Sequence, residues 1–368
     1  MNDWTHTRAV LTAGCTDGLH AGAQVAVWHG GCLEEWAVGD ARAGVAMTPD
    51  SVNLWLSAGK PITALAVARR VAVGRLHWDD LVTRWIPEFG GGGKESITLR
   101  HLLTHTGGFR SADTASLTGT WEESVAAACA AELESGWAVG ETAGYQSNAS
   151  WFILGEVLQR ETGRGFREVI RDEVIGPLDL GEGWFGLAPG EVKALGDRWS
   201  PMHRSGRSGV VVDAVLEDPV VVSRCRPGSG LRAPARFLCR FHAGLLQPPP
   251  DWLPRSVWAE VTGRQRVGRM DRTFQAVVDF GLGLLLNLDP PGARPMPYGY
   301  GSHAGVRTFG HSGNQSSCGF VDPDVGLAAA WVCNGMPGEP LHQRRQRAVQ
   351  EALYRDLGLA GNGTGSAH

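Results

Sequence analysis

Lysine is almost absent from this chain. It occurs only at Lys60, Lys94 and Lys193, and arginine supplies the rest of the 34 basic residues. A lysine that falls inside a motif is therefore hard to dismiss as surface filler. Long apolar runs are missing too. The longest conspicuous one, residues 325–333, is strand-length and falls far short of the roughly 20 residues that cross a bilayer. The start of the chain is polar, with no basic segment leading into an apolar run and a small-residue cleavage site. These absences predict a cytoplasmic protein with no membrane partner. The formal net charge is −4 and the arginines are scattered, which argues against a nucleic-acid partner, since such proteins carry a basic stripe. The seven cysteines include no C-x-x-C pair and their number is odd. In a cytoplasmic chain that pattern predicts free, mostly buried thiols and no metal cluster. No repeat of solenoid period is visible.

What is present is enough apolar residue, 43% of 368, for one large core or two packed lobes. Residues 24–29 and 32–39 are β-prone runs either side of Gly30-Gly31 and predict a hairpin. From Ser57 to Val73 the spacing of Ile62, Leu65, Ala68 and Ala72 predicts a helix. Thr98 is placed to cap a short helix over 99–103. Further amphipathic helices are expected over 151–160, 166–175 and 234–246. Strands return at 281–286, 307–311, 317–321 and 327–333, and a closing helix at 342–357. The polar tail, 358–368, reads as disordered. The expected fold is α/β in content (α+β). An antiparallel sheet built from both ends of the chain (1–56 and 220–357) is flanked by helices, with a mostly helical lobe (57–219) inserted between. The active site should lie in the cleft between the lobes.

The chemistry begins at Ser57-Ala58-Gly59-Lys60. At a helix start, positions i and i+3 share a face. A serine there has its Oγ beside the positive helix end, which favours a developing anion. A lysine amine one turn away can take the hydroxyl proton if its surroundings favour the neutral form. Alone, S-x-x-K arises often by chance, and a capping serine with a surface lysine explains most such matches.

The context is more specific. The run 48–65 around this motif resembles the nucleophile region of the class C β-lactamase and penicillin-binding-protein-like serine hydrolases. So do Leu99-Arg100-His101-Leu102-Leu103-Thr104-His105-Thr106-Gly107-Gly108, the Asn148 region with its following helix, and Phe309-Gly310-His311-Ser312-Gly313. The resemblance runs from about residue 24 to about 356 and implies the β-lactamase/transpeptidase-like fold. It also implies roles. Ser57 would be acylated and Lys60 would accept its proton. The backbone N–H groups of Ser57 and Asn314 would form the oxyanion hole, where one donor is worth about 3 kcal/mol of barrier. Asn148, Gly313, Gln146 and Trp151 would contact substrate. His311 stands where true β-lactamases carry the lysine of K-T-G and would act in catalysis. A histidine is neutral or only partly charged near pH 7, which weakens any fixed site for a penicillin carboxylate.

One motif departs from the family's Y-x-N. Here the residues are Tyr145-Gln146-Ser147-Asn148. Counting from Gly140 puts Tyr145 at the tyrosine site, and counting back from Asn148 puts Gln146 there. Tyr145 is the preferred candidate, with Gln146 as the alternative. His101 and His105 have the spacing of a zinc helix, but Leu102 stands where the glutamate would follow, so no metal and no cofactor are expected. Trp55, Trp151, Trp184 and Trp199 are candidates for an aromatic substrate pocket. The expected partners are a small-molecule ester donor and an amine or alcohol acceptor, with transfer in natural-product biosynthesis preferred over simple ester hydrolysis. A β-lactamase, a D,D-peptidase and a non-catalytic binding homologue are the remaining alternatives. Nothing in the sequence bears on the oligomeric state.

Overall fold

A computed structural model describes residues 2–115, 118–206, 209–291 and 296–360. The tail expected to be disordered lies outside the described residues from 361 onward. Its first residues close off the last helix: Gly358 takes a φ of 69°, and the Leu359 N–H donates to the Tyr354 carbonyl at 2.8 Å.

The sheet is antiparallel throughout and has eight strands. Three come from the N-terminal part: β1 (Gly22–His29), β2 (Cys32–Arg42) and β3 (Val45–Ala46). Five come from the C-terminal part: β4 (Asp279–Phe280), β5 (Leu285–Leu286), β6 (Phe309–Gly313), β7 (Ser317–Asp322) and β8 (Leu327–Cys333). Their order is β4-β5-β6-β7-β8-β1-β2-β3. The two ends of the chain meet where β1 pairs with β8, with Ala23 opposite Cys333 and Trp28 opposite Ala328.

Successive residues of a strand point to opposite faces, and both faces here are covered. Val25, Val27, Ala329, Trp331 and Cys333 turn toward α1 (Thr5–Thr16) and the closing helix, and pack there with Leu11, Val349 and Leu353. Ala26, Ala328, Ala330 and Val332 turn the other way, toward the helical layer. The small residues on that face let helix 235–244 lie close. A Cβ on Gly319 of β7 would collide with the ring of His242 on that helix. Each large apolar side chain fully buried in these layers contributes roughly 1.5–3 kcal/mol.

The helical layer centres on α2 (Lys60–Ala72), which is buried without a break from Lys60 to Ala68. It packs against α3, the helix Ala149–Thr162. The cap expected at Thr98 is present, its Oγ1 accepting from the His101 N–H at 3.3 Å.

Three local expectations need correction. Residues 281–286 are not one strand. They hold a tight turn between β4 and β5, with the Gly281 N–H donating to the Leu284 carbonyl. Gly283 takes a φ of 78° there, and a Cβ on it would run into Ala64 of α2. The helix Thr5–Thr16 was not anticipated. The region between 184 and 233 also carries short strands, Trp184–Phe185, His203–Gly206, Gly209–Val212 and Leu231–Ala233, among its helices. All seven cysteines are free. No helix among the described residues is long and apolar enough to cross a membrane.

Candidate active site

Ser57 sits in a 3₁₀ turn, Leu56–Gly59, that leads directly into α2. Leu56, just before it, has a φ of 50°, a left-handed conformation that a non-glycine residue adopts only where its surroundings enforce it. The Lys60 Nζ lies 2.9 Å from the Ser57 Oγ. The amine is fully buried and also donates to the carbonyls of Ser147 and Gly228, each at 2.7 Å. Two backbone oxygens from different segments thus aim the lysine at the serine, and the indole of Trp151 underlies it, its ring 5.3 Å from the nitrogen. A Cβ on Gly228 would run into that same indole, so only glycine lets this carbonyl come close.

Strands β6 and β7 are pinned beside the nucleophile turn. The Ser317 Oγ donates to the Trp55 carbonyl at 2.8 Å, and a Cβ on Gly313 would collide with that carbonyl. This brings Asn314 into the same cleft as Ser57. The cleft measures about 1040 Å³, and Ser57, Tyr145, Asn148, His311 and Asn314 all line it. Asn148 is held by the Ser229 hydroxyl, which donates to its Oδ1 at 2.8 Å.

The structure separates the two contenders in the tyrosine loop. Tyr145 faces the cleft. Its ring lies 5.4 Å from the Lys60 Nζ and packs on His105, Phe274 and His311. Its backbone is clamped, the N–H donating to Asp271 at 3.0 Å and the carbonyl accepting from Thr273 at 2.8 Å. Gln146 points the opposite way, as the next residue of an extended segment must. Its amide nitrogen donates to the Phe109 carbonyl and its oxygen accepts from Ser150. Its place among the substrate contacts is therefore corrected: it belongs to the core. Tyr145→Phe should lower kcat roughly 100-fold, the scale of a positioned proton donor or acceptor. Gln146→Ala should keep kcat and instead lower the urea midpoint, because two buried partners lose about 1–3 kcal/mol each. Steady-state kinetics on a nitrophenyl ester together with urea unfolding separates these outcomes. A folded Gln146→Ala protein as slow as Tyr145→Phe would reverse the assignment.

Other residues are placed differently from expectation. Trp151 supports Lys60 from beneath and is sealed from the cleft. Trp55 is buried, its indole N–H donating to the Ala233 carbonyl. Trp199 lies over Arg232, and Trp184 pairs across to Arg232 in a small sheet. None of the four lines the cleft. Its aromatic wall is Tyr145, Phe274, Phe280 and Tyr298, a set with no common motif. His311 offers the cleft a ring and no exposed nitrogen. Its Nδ1 is hydrogen-bonded to the Ser312 carbonyl at 2.8 Å, and its Nε2 is sealed from solvent. Burial above all pushes its pKa down to about 3, so it is neutral at working pH. His101 and His105 do not share a helix face. The helix ends at Leu103, and the His105 Nδ1 accepts from the Gln146 N–H at 3.1 Å.

The loop Pro227-Gly228-Ser229-Gly230 was overlooked, although its paired glycines are a visible turn signal.

A family model described as Beta-lactamase matches residues 8–354. An esterase, EstB, from Burkholderia gladioli is 29% identical over 378 residues, covering 89% of this chain and 88% of its own. An esterase/β-lactamase, LipL, from Mycobacterium tuberculosis is 26% identical over 342 residues, covering 84% of this chain and 74% of its own. Among solved structures, EstCE1, described as a hydrolase with promiscuous acyltransferase activity, superimposes with a TM-score of 0.79 at 19% identity, covering 95% and 98% of the two chains. That likeness shows the β-lactamase/transpeptidase-like fold.

Proposed function

The chain belongs to the β-lactamase family of serine hydrolases, and from that premise we propose that it cleaves carboxylic esters through an acyl-enzyme on Ser57. The observation that carries the reading is the 2.9 Å contact between the Ser57 Oγ and a fully buried Lys60 Nζ held by two carbonyls. In the first step the Oγ attacks the ester carbonyl carbon and its proton passes to the lysine amine. The negative charge moves to the carbonyl oxygen, where the N–H groups of Ser57 and Asn314 receive it. The C–O bond to the alcohol breaks, and the alcohol leaves with a proton delivered through Lys60 or Tyr145. In the second step water attacks the acyl carbon, gives up a proton to the same pair, and releases the acid and free Ser57.

Esters are favoured over β-lactams because β6 carries a neutral, sealed His311 at the position where the resemblance puts the lysine of a β-lactamase. The relatives named as esterases support the same choice.

A second reading is transfer of the acyl group to an amine or alcohol, with natural-product biosynthesis as its setting. Cleft size favours it. Ligand pockets usually run to about 300–1,000 Å³, and 1040 Å³ accommodates an acyl group and a second organic molecule together. A bound amine next to the acyl carbon gains the large advantage of proximity over water. The test is product partitioning. A model nitrophenyl ester should give only acid in buffer, and millimolar amines or alcohols should divert a measurable fraction into amide or ester without slowing nitrophenol release. If a broad acceptor panel diverts nothing, transfer is excluded and hydrolysis stands.

A further inference from the structure

Among the described residues, one buried cation in the cleft wall lacks a counter-ion; Arg347, also unpaired on that wall, is exposed to solvent. Arg226 is 3% exposed and lines the cleft together with Ser57, Asn148 and Leu216. Among the described residues no carboxylate reaches it, and its Nε is sealed from solvent with no hydrogen-bond partner. Buried arginines are almost always paired. The nearest acid does not serve. Glu217 gives its Oε1 to Arg232 at 2.9 Å and to the Met202 N–H at 2.8 Å, and its Oε2, which has no hydrogen-bond partner, makes no ion pair with Arg226. The buried trio of Arg226, Arg232 and Glu217 therefore holds two positive charges against one negative. Arg204, in the same wall, is already matched by Asp213 at 2.7 Å. Burial, and then the charge of Arg232, pull the Arg226 pKa down to about 10, which leaves it charged at neutral pH.

Its position ties it to the chemistry. Arg226 precedes by two residues the Gly228 whose carbonyl holds Lys60, and two residues span at most about 7 Å. The next residue, Ser229, holds Asn148. The loop is fixed by its own hydrogen bonds, the Ser229 and Gly230 N–H groups both donating to the Arg226 carbonyl. A guanidinium in this place offers several N–H donors in a planar fork that suits a carboxylate.

We infer that Arg226 docks a carboxylate carried by the substrate, so that the preferred esters are anionic, such as monoesters of dicarboxylic acids. The inference rests on the esterase reading and adds the substrate class. It also separates this chain from a lysine-based anchor on β6, because the charge sits on the loop that holds the catalytic lysine.

The test compares matched ester pairs that differ only in one charge. Mono-4-nitrophenyl glutarate and its methyl-capped diester place the carboxylate in the acyl half. 4-Acetoxybenzoate and its methyl ester place it in the leaving group. Wild-type protein should favour the anionic member of at least one pair by roughly ten- to a hundredfold in kcat/KM, the scale of a charged hydrogen bond, mainly through a lower KM. In Arg226→Gln that ratio should fall to near one, and in Arg226→Lys part of it should survive. If the glutamine variant does not fold, the wild-type ratios and the lysine variant decide the matter. Equal cleavage of both members by wild type, or a ratio unmoved by substitution, overturns the docking role and leaves the esterase intact. Failure to cleave any of the four esters overturns both readings.

Discussion

Ser57→Ala removes turnover altogether, a loss of roughly 10⁴-fold or more, and with it the single adduct that a fluorophosphonate adds to the wild-type chain in an intact-mass experiment. The fold should survive this change. Lys60 loses one of its hydrogen-bond partners but keeps the carbonyls of Ser147 and Gly228, and alanine fits a 3₁₀ turn without strain. Thermal unfolding of the variant should therefore match wild type. Lys60→Met should cost at least ~100-fold in acylation, the usual scale for a positioned base. It should also lower stability, since it leaves two buried carbonyls without a donor. The two variants are thus distinguishable: one loses chemistry alone, the other chemistry and stability. Full esterase activity in Ser57→Ala would sink the whole assignment. Near-normal acylation in a folded Lys60→Met protein would mean that another group takes the proton.

Local patterns were legible in the sequence where one element satisfies itself. The hairpin of β1 and β2 followed from β-prone runs around Gly30-Gly31, and the helix after Ser57 from the spacing of Ile62, Leu65 and Ala68. The meander of β6, β7 and β8 followed from short apolar runs between turns. What could not be read were properties set by distant partners. Helix Thr5–Thr16 shows little periodicity of its own and exists because Leu11 is buried against the closing helix. The Gly281–Leu284 turn looks like strand until α2 presses on Gly283. The same rule governs the site. Ser57 and Lys60 are neighbours in sequence and were found together. The carbonyls that hold Lys60 come from residues 87 and 168 positions away, and nothing in a backbone oxygen marks it in a sequence. His311 was expected to act in catalysis because of its place in the strand motif. Its burial, and the Ser312 carbonyl that occupies its Nδ1, are products of the packed sheet. The tryptophans misled for a related reason. The largest apolar side chains go where most surface can be covered, which is under the cleft and not on its wall.

The same packing makes the protein acid-labile over an unusually high pH range. Five buried histidines are held neutral. Burial is the first cause in each case and pushes His20, His311 and His342 down to about 3, His242 to about 4, and His105 well below its ordinary value. Unfolded, all five return to about 6.5. Between that value and about 4 the unfolded chain binds protons that the folded chain refuses, so stability falls as pH falls. Each histidine contributes a slope of about 1.4 kcal/mol per pH unit once the pH is well below 6.5. Three to five acting together give roughly 4–7 kcal/mol per unit, against a total stability of about 5–15 kcal/mol for a typical protein. The exposed carboxylates with lowered pKa values, such as Asp50 and Asp79, add to the loss only below about pH 4, so they do not mask the effect. Stability should be flat from pH 8 to 7, drop steeply from 6.5 to 5, and leave little folded protein below about 5. Activity should fall with it, because His105 and His311 pack directly against Tyr145 and neither can charge without opening the site. Urea unfolding at half-unit pH steps reads the slope directly as a number of protons. Uptake of three to five is expected, and an uptake below one between pH 6.5 and 5 would mean that these histidines find solvent or partners when protonated.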